Sequence, residues 1–223
     1  MVHSIAIVGG TGAEGRGLAT RFALAGHRVA LGGRDPGRSA DAADTVVARL
    51  AEAGHSRAQV VGTSNEVAAG ACEFVVIAVP YDAQRATFEA LAPQLADRIV
   101  ISTVVPVRFE RGPRPIAVAA GSAAEEAAQL LPRSRVVGAF HTLPAELLLD
   151  PALALDADVL VTGDDAEAKQ LVSALAAEFA GVRAVDAGPL RYTRFVEGLT
   201  VLLIGINGRY KAHSAVRIQG LPT

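Results

Sequence analysis

AIVGGTGAEGRGLA, residues 6–19, joins an apolar run to a helical pattern through Gly10, Gly12 and Gly15 at GxGxxG spacing. With 22 glycines in 223 residues such a spacing arises by chance, so its flanks decide what it means. Upstream, SIAIVG (4–9) reads as a buried strand; downstream, Thr11 to Ala25 reads as a helix, and RVALGG (28–33) as a second strand. Strand, glycine loop and helix thus fall inside one βαβ unit of about 30 residues, the context a dinucleotide fingerprint requires. In that reading Gly10 makes the tight turn, Gly12 lets a pyrophosphate approach the backbone, and Gly15 lets helix and strand pack closely. The free N–H groups and dipole at the helix start then bind the phosphates.

The end of the second strand selects the nucleotide. NAD-binding units place an acid about 20 residues on, where it holds the ribose 2′-hydroxyl. Here the strand ends LGGRDPGR, with Gly33 and Arg34 where the acid belongs and Arg38 one helical turn later. A guanidinium there forks onto a 2′-phosphate. Asp35 comes one residue late and is expected to face solvent. The expected cofactor is NADP(H).

Strand and helix patterns keep alternating. A helix is expected over Arg38 to Ala53, then a strand AQVVG (58–62), a short turn of helix capped by Ser64, and the strand EFVVIAVP (73–80). That strand is continuous and β-branched, as one covered on both faces should be. Val79 and Pro80 at its end join the candidate cofactor-binding residues. A helix from Asp82 to Leu95 and the strand RIVIS (98–102) follow. Ser122 and Glu125 form an S-x-x-E capping box for a helix to Leu131. RVVGAF (135–140), DVLVTG (158–163) and VRAVDAG (182–188) read as further strands, with helices from Asp164 to Phe179 and from Pro189 to Ile206. The pattern specifies an α/β fold: a doubly wound, mostly parallel Rossmann sheet with a small C-terminal helical portion. The expected division is a dinucleotide-binding domain over 1–188 and a C-terminal portion over 189–223 that supplies cleft and dimer contacts. Thr103 to Pro115 reads as an irregular loop of the length that usually serves a site.

Composition narrows the function. A net charge of −2 argues against a general nucleic-acid binder, and 51% hydrophobic with 20% charged residues suits a globular chain. The longest apolar stretch, FVEGLTVLLIGI (195–206), is interrupted by Glu197, Gly198 and Thr200 and falls short of the roughly 20 residues of a bilayer span. No signal peptide is visible, so a cytoplasmic location is expected and no membrane partner. The five histidines are scattered, no CxxC or HExxH exists, and no metal site is expected. The lone Cys72 lies beside an apolar run and reads as a buried thiol. Hydride transfer, in which a protein mainly aligns two partners and excludes water, is the chemistry left.

These residues resemble the NADPH-dependent reductases of the deazaflavin coenzyme F420. The opening GGTGAEGRGLATRFALAGHRVALGGRD carries the likeness, as do ISTVVPV, GSAAEEAAQLLP, VVGAFHTLPAELL, VTGDDAEAKQLV and DAGPLRYTRFVEGLTVLLIGIN in the same order, over roughly 1–206. The resemblance implies a deazaflavin stacked on the nicotinamide in a cleft between the Rossmann domain and the C-terminal portion. It implies that Thr11, Gly12, Arg34 and Arg38 bind NADP. It further implies that Ser102, Val105 and Pro106, with His141, Leu143 and Pro144 of a segment near 139–150, line the ring pocket. His141 is the candidate catalytic residue, acting by orientation. The resemblance also implies a homodimer, which suits the apolar last helix. One departure is Gly33, where the family often carries Ser, so one hydroxyl donor is lost. Arg108, Arg111, Arg114, Arg191, Arg194, Arg209 and Lys211 are candidates for a basic rim toward an anionic coenzyme. The tail GRYKAHSAVRIQGLPT matches least. An imine or carbonyl reductase of the same fold, using Tyr81 or Tyr192 as proton donor, and a non-catalytic NADP sensor are the alternatives.

Overall fold

The computed structural model describes residues 1–221; the expected C-terminal portion and its tail therefore run on into residues 222 and 223, outside the described ones. The first half is built from β1 (Ser4–Val8), α1 (Ala13–Leu24), β2 (Arg28–Gly33), α2 (Pro36–Glu52), β3 (Gln59–Ser64) and α3 (Asn65–Ala71). It continues through β4 (Phe74–Ile77), α4 (Tyr81–Leu95), β5 (Ile99–Ser102), β6 (Val107–Phe109) and β7 (Pro113–Pro115). Then come α5 (Ala123–Leu130), β8 (Arg135–Gly138), α6 (Ala145–Leu148), β9 (Ala157–Gly163), α7 (Ala166–Ala177) and β10 (Val182–Gly188). A 3-10 turn at Leu190–Tyr192 leads into α8 (Thr193–Tyr210).

Eight strands form one sheet in the order β10-β9-β8-β5-β4-β1-β2-β3. All neighbours run parallel except β8 and β9, which pair antiparallel through Val137–Gly163 and Gly138–Thr162. The connection between them, residues 139–156, holds no helix longer than the one-turn α6. The expected mostly parallel, doubly wound sheet is what the chain forms.

Alternation along the central strands sorts the core into two layers. Ile5, Ile7, Phe74 and Val76 face the side covered by α1, α2 and α7, with Leu18, Phe22, Val46, Leu50, Val172 and Leu175. Ala6, Val8, Val75 and Ile77 face the other side, against Phe88, Leu91 and Leu95 of α4 and Ala123, Ala124 and Ala127 of α5. Both faces are dry, which is why these strands read as unbroken apolar runs. Cys72 is buried in the second layer, and burial raises its thiol pKa.

Several boundaries differ from expectation. β4 ends at Ile77 and β8 at Gly138, so Val79, Pro80 and Phe140 belong to loops. Asp35 does not simply face solvent: its carboxylate accepts from the amides of Gly37 and Arg38 and caps α2, which starts at Pro36. The stretch 103–115 is not wholly irregular, since β6 and β7 form an antiparallel ribbon turned by Arg111 (φ 51°) and Gly112 (φ 129°). The last helix runs to Tyr210, four residues past Ile206. Glu197, an interruption in the sequence pattern, is buried within α8 and accepts from the amides of Ala123 (3.1 Å) and Ala124 (3.2 Å). It docks α8 on the positive end of α5, and burial pushes its pKa up to about 7. Among the described residues no helix is long and apolar enough to cross a membrane.

Candidate functional site

The chain turns outward from β1 to β2 and β3, then restarts at β4 and proceeds the other way. Carboxyl ends of strands at such a switch point open a crevice. Here it is a cleft of about 670 Å³, walled by the segments after β1, β2, β4, β5 and β8, by α8, and by part of the tail.

The glycine loop forms one wall. Gly9 takes the left-handed turn (φ 75°), a role the sequence reading gave to Gly10, and its amide donates to Asn65 Oδ1 at 3.2 Å. A Cβ on Gly9 would meet Val79 Cγ1 at 2.7 Å, so the loops after β1 and β4 touch. Gly10 instead allows close approach: its amide donates to Gly32 O, and a Cβ would lie 2.6 Å from Leu31 Cδ2. A Cβ on Gly15 would lie 2.5 Å from Gly10 Cα, which is the expected helix–strand contact. Gly12 N-caps α1 with no side-chain bond, and nothing stands within 4 Å of its Cβ direction. The start of α1 is thus open, with uncapped amides, and fits a pyrophosphate.

Thr11, Gly12, Gly33, Arg34, Val79 and Pro80 all line the cleft. Arg34 is exposed beside it; Arg38, in the first turn of α2, is exposed and outside the lining. A side chain at Gly33 would run into the Ser39 hydroxyl, which donates to Asp35 O at 3.1 Å.

The segment after β8 forms the facing wall. Phe140 is left-handed (φ 66°) and buried against Phe22 and Phe179, with ring centroids 5.7 and 5.5 Å away. A bulky residue in that conformation costs of order 1–3 kcal/mol and persists only where its surroundings over-determine it. It sends the phenyl ring into the core and the next residue, His141, to the cleft. His141 is 6% exposed, and neither ring nitrogen has a partner. Desolvation pulls its pKa down to about 4, so the ring is neutral at pH 7. Two orphaned nitrogens on a cleft wall suit a ligand that supplies the missing hydrogen bond. Thr200 of α8 donates to His141 O at 3.2 Å. Leu143, Pro144 and Val105 also line the cleft, whereas Ser102 and Pro106 do not. Ser102 is buried with its hydroxyl unpartnered, and Pro106 faces a small groove between the hairpin and α8.

Arg21 of α1 holds this wall from behind. Its buried guanidinium donates to the carbonyls of Leu148 (3.0 Å), Leu153 (2.6 Å), Leu147 (2.6 Å) and Asp150 (2.8 Å). These include the last carbonyls of α6, where a cation is favoured. No sequence motif announces this role; an arginine inside an apolar helical pattern was the available hint.

Sequence reasoning also missed Glu14. It lines the cleft with Oε1 buried and unpartnered, and desolvation pushes its carboxyl up to about 8. Burial thus favours its neutral form, which places less negative charge beside the phosphate cradle. The basic rim is not assembled: Arg108 and Arg114 flank Glu110 on the hairpin, Arg194 meets Glu125, and none of the seven cations lines the cleft.

Residues 4–106 match the family model described as NADP oxidoreductase coenzyme F420-dependent. The F420-dependent NADP reductase of Methanothermobacter thermautotrophicus is 39% identical over 100% of this chain and 97% of its own. Its namesake in Methanocaldococcus jannaschii is 37% identical over 97% and 98%. The crystal structure of a candidate F420-dependent NADP-reductase from Arthrobacter sp. FB24 superimposes with a TM-score of 0.80 at 30% identity, over 97% of this chain and 99% of that one.

Proposed function

The chain belongs to the coenzyme F420-dependent NADP oxidoreductases, and from that membership we propose that it moves a hydride, reversibly, between NADP(H) and the deazaflavin coenzyme F420. The observation that carries this reading is the shared cavity, in which Thr11, Gly12 and Arg34 lie along the same cleft as His141, Leu143 and Pro144. When bound, the two coenzymes supply the hydride donor and acceptor; the protein supplies alignment and a dry site.

In this reading Gly10, Thr11, Gly12 and Gly15 shape the pyrophosphate cradle, and Arg34, with Arg38 reaching in from α2, holds the 2′-phosphate beside Gly33. Val79 and Pro80 flank the nicotinamide. Val105, Leu143 and Pro144 make apolar contact with the ring, while Ser102 and Pro106 support that wall from behind. His141, neutral and unpartnered, orients a ring or amide edge by one hydrogen bond and carries no proton between substrates. Residues 1–188 serve as the dinucleotide-binding domain and 189–223 as the portion that completes the cleft.

The proposal extends to a cytoplasmic homodimer joined partly through α8. Phe195 (67% exposed) and Leu202 (59% exposed) stand out from that helix, more apolar surface than a monomer comfortably leaves in water. An imine or carbonyl reductase would want Tyr81 or Tyr192 in the cleft, and neither lines it. Mixing protein, NADPH and F420 and following the deazaflavin absorbance, then repeating the assay from reduced F420 and NADP, tests the activity. Bleaching in the first direction and recovery in the second are expected; no change in either would leave an NADP sensor as the better reading.

A further inference from the structure

The tail after α8 does not fray as chain ends commonly do. It leaves the helix through a left-handed Lys211 (φ 53°) and doubles back. The amide and hydroxyl of Ser214 both donate to Oδ1 of Asn207, at 2.8 and 2.6 Å, and Asn207 lies on the cleft-facing side of α8. His213 and Ser214 line the cleft themselves. Ala215 then packs against the core layer under α1 and α7.

The next three residues fasten the tail to the start of β9. Asp158 is 0% exposed, and its amide donates to Val216 O at 2.7 Å. Its carboxylate accepts from the Ile218 amide at 2.6 Å and from Arg217 Nη1 at 3.2 Å. From the sheet side Arg183 forks onto the same carboxylate at 2.9 and 2.7 Å. These bonds, Arg183 foremost, hold the Asp158 carboxyl below the usual carboxylate range. A buried carboxylate is costly unless its partners are all present. Two of its donors, Arg217 and Ile218, belong to the tail, so lifting the tail strips Asp158 of half its shell.

We propose that residues 211–218 are a strap forming the outer wall of the cleft, that His213 and Ser214 contact the second substrate there, and that Asp158 is the positioning residue that fastens the strap. The second substrate here is the deazaflavin, so this inference rests on the function proposed above. Sheet order assigns the strap to that substrate and not to the nucleotide phosphate. The strap is tied to β9, five strand spacings from the β2 end that carries Arg34, or roughly 24 Å at sheet spacing. No sequence motif marks the role, because the donors and the acceptor are some 60 residues apart in the chain.

Hydrogen exchange and steady-state kinetics on the full chain test the idea together. Arg217→Ala and Asp158→Asn are expected to speed amide exchange across 212–218 by about tenfold or more. Both should raise the KM for F420 by about threefold or more while leaving the KM for NADPH within about twofold. His213→Ala should raise the F420 KM with exchange unchanged, which separates contact from fastening. Adding F420 with NADPH to the wild type should slow exchange over 212–216. Loosened exchange with both KM values unchanged would make the strap purely structural and overturn the proposal. So would unchanged exchange in both fastening variants, or a rise confined to the NADPH KM. If the wild type fails to bleach F420, the proposed activity falls, while the exchange data still decide whether Asp158 fastens the strap.

Discussion

Replacing His141 by Gln should remove a specific piece of the protein's acid sensitivity. In the unfolded chain the imidazole takes a proton near its ordinary pKa of 6.5; in the fold desolvation lowers that to about 4. A base whose folded pKa is depressed contributes stability that is complete above the unfolded value and lost as pH falls toward the folded one. The full gap corresponds to about 3.4 kcal/mol at 1.36 kcal/mol per decade of proton affinity. At about pH 5, where the unfolded ring is almost wholly charged and the buried one almost wholly neutral, the loss is about 2 kcal/mol. Gln keeps a polar side chain of similar reach and does not titrate. The assay is urea unfolding of wild type and His141→Gln at about pH 7 and about pH 5. The wild type should lose about 2 kcal/mol more than the variant between the two. Parallel losses would mean that the ring finds a proton acceptor or solvent, and the argument from its two orphaned nitrogens would be wrong. Kinetically, His141→Ala, which removes the bond that Gln can in part replace, should lower kcat/KM for F420 by roughly 1–3 kcal/mol in barrier terms, the worth of one buried hydrogen bond.

Arg34→Ala should raise the KM for NADPH by about tenfold or more, the loss of one charge-assisted contact, and leave NADH nearly unaffected; equal responses of the two cofactors would remove Arg34 from the 2′-phosphate. Leu202→Arg combined with Ile206→Arg should convert a dimer to monomer or insoluble protein, as read by light scattering, and a wild-type monomer at micromolar concentration would end the interface on α8. Arg21→Met leaves four carbonyls, two at the end of α6 and two just beyond it, without their donor and should cost about 3–5 kcal/mol by chemical denaturation. Arg21→Lys should recover only part of that, since an ammonium gathers its three donors on one nitrogen and cannot span the four carbonyls that the guanidinium reaches.

The fold could be read from the chain because its central strands are continuous, β-branched runs, and their helices carry ordinary capping signals. Ser64 and Ser122 cap as expected, accepting from Val67 and Glu125. Thr11, Gly12, Arg34, Val105, His141, Leu143 and Pro144 could be placed because each follows a recognisable strand, and strand ends are where an open α/β sheet meets its ligands. What escaped depends on contacts between distant segments. Asp35 looked like stray charge until the helix it caps was seen to start at Pro36. Glu197 looked like a flaw in an apolar helix, yet its partners are amides about 74 residues earlier. The β6–β7 ribbon has three-residue strands set among prolines, too short for any periodicity to register. Glu14 sits in a first turn where an acid is normally favoured, and only the folded cleft shows that burial opposes that preference.

The space above Gly33 has a consequence for how this chain can change. The Ser39 hydroxyl already fills the volume a side chain at 33 would need, and it is tied to Asp35 O. A serine at 33 therefore requires the Ser39 hydroxyl to move. Gly33→Ser alone presses its Cβ against the Ser39 Oγ, which must then swing away from Asp35 O; Ser39→Ala removes that oxygen and gives up only a single side-chain bond. The two positions are therefore coupled, and Gly33→Ser is expected to cost less stability beside Ser39→Ala than alone.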